Sequence, residues 1–521
     1  MATVRTGEYG QKLRLLRSAF SLLAVLVAFV PVLAVRYPPF LDYYTHIVRI
    51  AIAADLASYA EFYELNDRTS PNLGAELIIG GLYRLWPIET AGWLFVLLTV
   101  LVLVTAPFAL HRALSGRESS PLGPMVACAL VYNFVLQMGF LSYLLGLGLA
   151  LWGLAVWLRV RGGSPLRSVP VATIIAVVIY FTHLVAFAVF ALALVALEAA
   201  VAWEQRSLRR PLADFLRVIV ALVPPVLWQL FFIHQSGQVV VWRNEQLLLH
   251  KARQVFNFID SGAVSPGIVL LGLGLYLVLV LLLARVTIHR WTIPALGLAS
   301  AVFIAAPESI GEGYYLSPRL PLAIALLGLA SLVVSFVSIR REAALLGVLL
   351  ALLGWQASET ARDFLRFEER MQAVVRDIGR VPAGSVVVVM VDTSARQYGA
   401  APVQTRLWHV ASLASLRPGT FVATLPAVES QHSIVVRPDY RPLYIWQRKV
   451  PRRLVANEVD SLLSDLEVAA PHRLREVYAV VLTPAGLAEE VAMRGELVSR
   501  SDDLWVIRLR RPFAWADGAA L

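Results

Sequence analysis

The sequence predicts a polytopic α-helical membrane protein that ends in a smaller, water-soluble α/β domain. The chain has 521 residues, of which 58% are hydrophobic and only 16% charged, and its mean hydropathy is +0.67. An average soluble domain is about 25% charged. Apolar segments of membrane-spanning length recur through residues 1–358, whereas polar helical patterns and short apolar strand-like runs alternate in residues 359–521. We take residue 358/359 as the domain boundary.

The apolar segments predict eleven membrane spans, because a bilayer core of about 30 Å requires about 20 apolar residues per helix. The stretch 169–203 is too long for one span, since its 35 residues would form a helix of about 50 Å. We expect two spans that meet at Thr182 and His183. The other nine lie near residues 15–35, 90–110, 121–138, 139–158, 214–233, 264–284, 291–306, 319–338 and 342–358.

The basic residues indicate how these spans are oriented, because cytoplasmic loops collect Lys and Arg. With a cytoplasmic N-terminus, eleven spans place every basic cluster inside: 5–17, 112–117, 159–167, 206–210, 285–290 and 340–341. The first external loop (36–89), the later loops 235–263 and 307–318, and the C-terminal domain are then extracytoplasmic. We interpret the net charge of +10 as a topology signal and not as a nucleic-acid-binding surface.

Two apolar segments have special interpretations. Residues 71–87 (PNLGAELIIGGLYRLWP) would invert the later loops if they crossed the membrane, so they are predicted to form an interfacial helix. The first span follows basic residues as a signal peptide does, but no small-residue cleavage site comes after it. It is predicted to remain as an anchor.

The stretch PPFLDYYTHIVRIA (38–51) holds the first candidate site. Two prolines disfavour helix, and Asp42 can cap the helix that follows. Offsets of four and three residues place Asp42, His46 and Arg49 on one helix face. Asp42 could serve only as a cap while the two basic residues meet lipid phosphates. Alternatively, its carboxylate could take a proton from an acceptor hydroxyl while His46 and Arg49 neutralise an anionic leaving group.

Three further external positions could complete such a site. His183 lies between two spans, where an ionisable group is expensive and therefore a functional candidate, although it could simply bond a neighbouring carbonyl. Arg319 begins a span and could bind a phosphate or act as a lipid anchor. Lys251 lies in an amphipathic segment whose apolar residues Leu248 and Val255 suit a membrane interface.

The order of these features resembles the GT-C superfamily of integral-membrane glycosyltransferases, with PPFLDYYTHIVR as the local motif. The resemblance implies transfer, with inversion, of a sugar from a polyprenyl-phosphate-linked donor at the extracytoplasmic face of the inner (plasma) membrane. It places Asp42 at the position of the superfamily's catalytic acid and Arg319 at that of a donor-phosphate ligand. Tyr43 and Tyr44 follow Asp42 where relatives carry further acids, so a divalent metal is not supported.

The resulting hypothesis assigns Asp42 as the base, and His46, Arg49, His183, Lys251 and Arg319 as ligands of the donor phosphate. The acceptor is a glycan, lipid or protein. One alternative is a transporter or flippase of lipid-linked material, which predicts mid-span ionisable residues and internal repeats. Another is a non-catalytic scaffold that displays the C-terminal domain. The single cysteine, Cys128, provides neither a disulfide nor a cysteine metal site.

Overall fold

The computed structural model describes residues 2–66, 71–116, 119–204, 209–232, 240–242, 246–310, 315–391, 406–429, 431–449, 459–472, 474–482 and 486–513. The chain divides into two compact units. The first unit comprises Met1–Val35, Pro71–Ala75 and Leu94–Phe364. The second comprises Arg36–Ser70, Glu76–Trp93 and Leu365–Leu521.

Helices make up most of the described chain. They are α1 (Ala2–Leu33), α2 (Tyr43–Ala54), α3 (Gly74–Tyr83), α4 (Ile88–Ser115), α5 (Leu122–Ala129), α6 (Phe134–Gln137), α7 (Leu141–Val160), α8 (Pro165–Thr182), α9 (Leu184–Glu204), α10 (Arg209–Phe232), α11 (Leu247–Asn257), α12 (Pro266–Leu283), α13 (Ile293–Ala305), α14 (Leu316–Ala330), α15 (Ile339–Ile378), α16 (Arg441–Lys449), α17 (Val459–Ala469) and α18 (Gly486–Met493).

The strands are short and most lie in the C-terminal part. They are β1 (Tyr63–Leu65), β2 (Val240–Val241), β3 (Ala284–Ile288), β4 (Ser309–Ile310), β5 (Leu332–Phe336), β6 (Val386–Val391), β7 (Phe421–Val422), β8 (Ile434–Val436), β9 (Glu476–Leu482), β10 (Glu496–Arg500) and β11 (Leu504–Arg510).

Eight helices in the described part of the chain are long and apolar enough to cross a membrane. They are Gly10–Leu33 within α1, Leu212–Phe231 within α10, and α4, α7, α8, α9, α12 and α15. All eight coincide with predicted spans. The predicted break at His183 is confirmed, because this residue has an extended backbone (φ −167°, ψ 125°) between α8 and α9. The count of eleven spans is not confirmed.

The predicted span at 121–138 is replaced by two short helices, α5 and α6, and Asn133 explains the break. Its amide nitrogen donates to the carbonyls of Leu130 and Val131 at 2.6 and 3.0 Å. Its amide oxygen accepts the backbone N–H groups of Val135 and Leu136 at 2.7 and 3.2 Å. One buried side chain thus satisfies the backbone groups that an interrupted helix leaves without partners.

The segments predicted as spans 291–306 and 319–338 form shorter helices than expected. Helix α13 has 13 residues and α14 has 15. After α14 the chain enters β5, which pairs antiparallel with β3 in the register Ala284 to Phe336. The β5 sequence LVVSF is rich in β-branched and aromatic residues, which favour a strand over the last turns of a helix.

The second unit contains a five-stranded sheet in the order β10-β11-β9-β6-β7. Strand β6 is parallel to both β7 and β9, and the remaining pairs are antiparallel. The buried apolar runs of β6 and β9 form its centre, and helices α16 to α18 alternate with the strands. The predicted C-terminal α/β fold is therefore confirmed. The 40 residues of α15 form one helix that passes through the predicted boundary at 358/359.

The segment predicted as the first external loop also contributes to the second unit. Strand β1 of this loop pairs antiparallel with β8 in the register Tyr63 to Val436. The aromatic rings of Phe62, Phe421 and Tyr440 pack around this pairing, with centroids 4.8 to 5.4 Å apart. Loop and C-terminal sequence therefore share one core.

Candidate functional site

Asp42 precedes α2 as predicted, but its carboxylate does not cap the helix. The residue has a helical backbone (φ −84°, ψ −6°) and makes no side-chain capping bond. Its Oδ1 atom lies instead 3.4 Å from Nε2 of His409, with 28% of the Asp42 side chain exposed. The prediction that Asp42 caps α2 is thus wrong, and the carboxylate lies at a partly exposed position beside His409.

Arg49 lies two turns along α2 and is buried, with 2% of its surface exposed. Its Nη2 atom is 3.7 Å from Oε1 of Glu76, in the first turn of α3. Burial lowers the pKa of Arg49 and raises the pKa of Glu76. The charge of each residue opposes part of the pKa shift that burial causes in the other. The ion pair therefore does not recover its full desolvation cost, which makes a purely stabilising role a poor explanation for it.

His46 is held as a neutral imidazole by Arg49. Nη2 of Arg49 lies 2.9 Å from Nδ1 of His46. Because a guanidinium can only donate, Nδ1 must accept and the ring proton sits on Nε2. Burial lowers the pKa of His46 well below its usual value, and the charges of Arg49 and His409 lower it further. At neutral pH, His46 can offer an anion one hydrogen bond but no positive charge.

Two histidines from the C-terminal sequence join this cluster. His409 immediately precedes the 3₁₀ helix Val410–Leu416, which packs against α2. His432 accepts the backbone N–H of Val428 at Nδ1, 2.9 Å away. Burial lowers the pKa of His432 well below its usual value, with further lowering by Arg49 and His46. The described residues contain no group of three or more His, Cys, Asp or Glu that could hold a metal ion.

The two buried neutral histidines, His46 and His432, make stability dependent on pH. An unfolded chain protonates histidine below about pH 6.5, whereas the folded protein does not bind these protons, so stability falls as pH decreases below that value. The loss is about 1.4 kcal/mol per pH unit for each histidine. We expect the unfolding temperature in detergent to fall between about pH 6.5 and pH 5, and to fall less steeply in His432→Gln. Identical slopes in the two proteins would contradict this account.

In the first unit, the structure brings His183 and Arg319 together. Nη1 of Arg319 lies 3.1 Å from Nε2 of His183. The guanidinium carbon is 4.0 Å from the ring centroid of Phe140 and 5.7 Å from that of Tyr143. The Tyr143 hydroxyl donates to the Arg319 carbonyl at 2.9 Å. Aromatic faces and an imidazole acceptor therefore fix the cation in one orientation.

Lys251 lies on the protein-facing side of α11, with 5% of its surface exposed. Its ammonium donates to the Ala306 carbonyl at 2.9 Å and sits 4.9 Å from the ring centroid of Phe303. Burial lowers its pKa. Gln254, one turn further along α11, accepts a hydrogen bond from the Ser317 hydroxyl at 3.0 Å. Ser317 lies two residues before Arg319 in α14. Helix α11 is thus attached to the start of α14.

Helix α11 exposes apolar residues, as an interfacial helix requires. Leu248 is 74% exposed and Val255 is 46% exposed. The predicted amphipathic helix is therefore present, with Lys251 and Gln254 buried against protein and Arg253 and Asn257 exposed.

The second unit also contains a hollow of about 200 Å³. Its lining comprises Tyr37, Glu89, Val375, Ile378, Gly379, Leu413, Ala414, Leu416 and Arg417. None of the six predicted site residues lines this hollow, so it is separate from the cluster around Asp42.

Sequence analysis missed the contacts of Glu76 and His409, although it identified the α2 face they meet. Glu76 lies in the segment predicted to be interfacial, and no spacing rule links it to Arg49. His409 is separated from Asp42 by almost the whole membrane part of the chain. A single sequence carries no signal for either contact.

The fold therefore combines apolar helices of membrane-spanning length, helix α2 after the first of them, and a C-terminal α/β part. Two solved structures are similar to this chain over nearly their whole length. One is the crystal structure of ArnT, a GT-C glycosyltransferase, from Cupriavidus metallidurans bound to undecaprenyl phosphate, with 14% identity, a TM-score of 0.50, and coverage of 96% of this chain and 99% of that chain. The other is the same protein in the apo state, with 13% identity, a TM-score of 0.50 and the same coverage. Neither a family model nor a curated protein matches the sequence.

Proposed function

We propose that this protein is an inverting glycosyltransferase that moves a sugar from a polyprenyl-phosphate-linked donor to an acceptor at the extracytoplasmic face of the plasma membrane. The observation that carries the proposal is the position of the Asp42 carboxylate. It makes no capping bond to α2, and its Oδ1 atom lies 3.4 Å from Nε2 of His409. The GT-C type of fold supports it, because a neighbour with that fold binds undecaprenyl phosphate.

In the proposed reaction, Asp42 removes the proton from an acceptor hydroxyl. The resulting oxygen attacks the anomeric carbon of the donor as the bond from that carbon to the phosphate oxygen breaks. The configuration inverts, the bonding electrons leave with the polyprenyl phosphate, and the proton remains on Asp42. A carboxylate within hydrogen-bonding reach of the acceptor hydroxyl is an effective general base, because it takes up the proton as the hydroxyl oxygen attacks.

Arg319 is proposed to bind the departing phosphate, with Lys251 and Arg49 contributing positive charge. Cations that are already oriented stabilise charge that develops in the transition state without a cost of reorganisation. The 4.0 Å stack of Arg319 on Phe140 and its contact with His183 support this role. His183 then orients the guanidinium, and His46 offers a neutral hydrogen bond.

Replacing Arg319 with Met is expected to weaken binding of undecaprenyl phosphate by about 10- to 100-fold, since a charge-assisted hydrogen bond is worth about 1.5–3 kcal/mol. The dissociation constant in detergent provides the measurement. Arg159→Met is the matched control, because Arg159 is an exposed arginine on α7, 16 residues or about 24 Å beyond Tyr143. Equal affinities of Arg319→Met and the wild type would remove Arg319 from the proposed site.

The proposed function is tested by reconstituting the wild type in liposomes with synthetic undecaprenyl-phosphate-linked glucose, mannose or galactose, together with a membrane extract of the source organism that supplies glycan, lipid and protein acceptors. A transferase releases free undecaprenyl phosphate from at least one donor. A flippase moves the donor between leaflets with the sugar still attached, and a scaffold does neither. Intact donor after prolonged incubation with every sugar would contradict the transferase proposal.

A further inference from the structure

We propose that His409 is a positioning residue that holds the Asp42 carboxylate in the orientation needed to accept a proton. This inference rests on the proposed function and deepens it. It also gives the C-terminal α/β part a place in the catalytic machinery, since His409 belongs to that part of the chain.

The direction of the Asp42 side chain is the first step. An Asp at the start of a helix ordinarily turns an oxygen toward the backbone N–H groups of the first turn. In α2 this bond is absent, and Oδ1 faces Nε2 of His409 at 3.4 Å. The Thr45 hydroxyl donates to the Asp42 backbone carbonyl at 2.8 Å, a contact that does not involve the carboxylate. The carboxylate is therefore oriented by the imidazole.

The support of His409 is the second step. The 3₁₀ helix Val410–Leu416 buries Val410, Ala411, Ser412 and Ala414 to 1% exposure or less. Its far end is held by the Tyr59 hydroxyl, which donates to the Ser415 carbonyl at 2.6 Å. At its near end, the backbone N–H of Ser412 donates to the His409 carbonyl at 3.1 Å. His409 is thus carried on a rigid element docked against the helix that Asp42 begins.

Partial exposure is the third step. The side chains of His409 and Asp42 are 15% and 28% exposed. A purely structural ion pair gains little at such a position, because water and salt screen it. An acceptor hydroxyl can reach the carboxylate there while the imidazole fixes one of its oxygens.

The charged and titratable groups around Asp42 determine what happens when His409 is removed. They include His409 before the 3₁₀ helix, His46 and Arg49 on α2, and Glu76 on α3. His46 is neutral, and Arg49 interacts with both Glu76 and the Asp42 carboxylate. Loss of the imidazole donor therefore leaves the Asp42 carboxylate less stabilised, so that it takes up a proton at higher pH.

The test compares His409→Ala, His409→Gln and His472→Ala with the wild type. We measure release of undecaprenyl phosphate from undecaprenyl-phosphate-linked glucose, mannose and galactose in the presence of the same acceptor extract. His409→Ala should lower kcat by about 10- to 100-fold, as expected for a misplaced base, with little change in KM for the donor. The acid limb of its pH–rate profile should move to higher pH. His409→Gln retains an N–H donor and should recover most of kcat, and His472→Ala, at an exposed position, should match the wild type.

The outcomes separate this inference from the proposed function. If the wild type is active, Asp42→Asn is inactive and His409→Ala is normal, the positioning role is overturned and the transferase proposal stands. If kcat falls equally in His409→Ala and His409→Gln with an unchanged pH profile, His409 has only a structural role and the inference is again overturned. If the wild type releases no undecaprenyl phosphate from any donor, both proposals are overturned.

Discussion

Replacing Asp42 with Asn is expected to lower the rate of sugar transfer by about a hundredfold to ten-thousandfold, the usual contribution of a general base. The amide keeps the shape of the side chain and can still contact His409, but it cannot accept the proton of an acceptor hydroxyl. Folding should be unaffected, because Asp42 makes no capping bond that the substitution could break. Release of undecaprenyl phosphate and the unfolding temperature are measured on the same preparations.

The matched control is Asp55→Asn at the other end of α2. Asp55 is an exposed acid in the same loop and makes no side-chain capping bond. It should transfer sugar at the wild-type rate. A normal rate in Asp42→Asn would show that another group removes the acceptor proton.

The largest expected effect on stability comes from Arg49→Met. This substitution leaves Glu76 buried beside α2 without its cation, and breaking a buried pair typically costs about 3–5 kcal/mol. Arg49 is 2% exposed, and Nη2 also donates to His46, so two partners are lost together. We expect the unfolding temperature in detergent to fall by several degrees and donor binding to weaken.

A double variant distinguishes the charge from the packing. In Arg49→Met combined with Glu76→Gln no unpaired charge is buried, so much of the lost stability should return. The exposed pair Arg441 and Glu429, whose side chains are 49% and 45% exposed, provides the control, and Arg441→Met should change stability by less than about 1 kcal/mol. Equal losses in the single and double variants would mean that the ion pair is not the cause.

Local pattern was sufficient to predict α2 and the helix face that carries Asp42, His46 and Arg49. The two prolines before α2 disfavour helix, and the helical period places positions 42, 46 and 49 on one face. Both rules depend only on residues that are close in the sequence. Hydropathy likewise located the eight long helices, because the membrane imposes their length. The α8 to α9 break at His183 followed from length alone.

Interactions between distant residues could not be predicted in the same way. Asn133 breaks a span because its side chain meets four backbone partners, and summed hydropathy does not record that geometry. His46 was expected to carry positive charge, but burial and the charge of Arg49 together lower its pKa well below the usual value. His409 reaches Asp42 only after the C-terminal domain has folded.

The most direct test of the central claim is an experimental structure of the protein with undecaprenyl phosphate bound. The account predicts that phosphate oxygens lie about 3 Å from the guanidinium of Arg319, as a charge-assisted hydrogen bond requires, and that the Asp42 carboxylate faces the side of the phosphate where the sugar would be attached. A phosphate bound away from Arg319, with Asp42 directed elsewhere, would contradict the account.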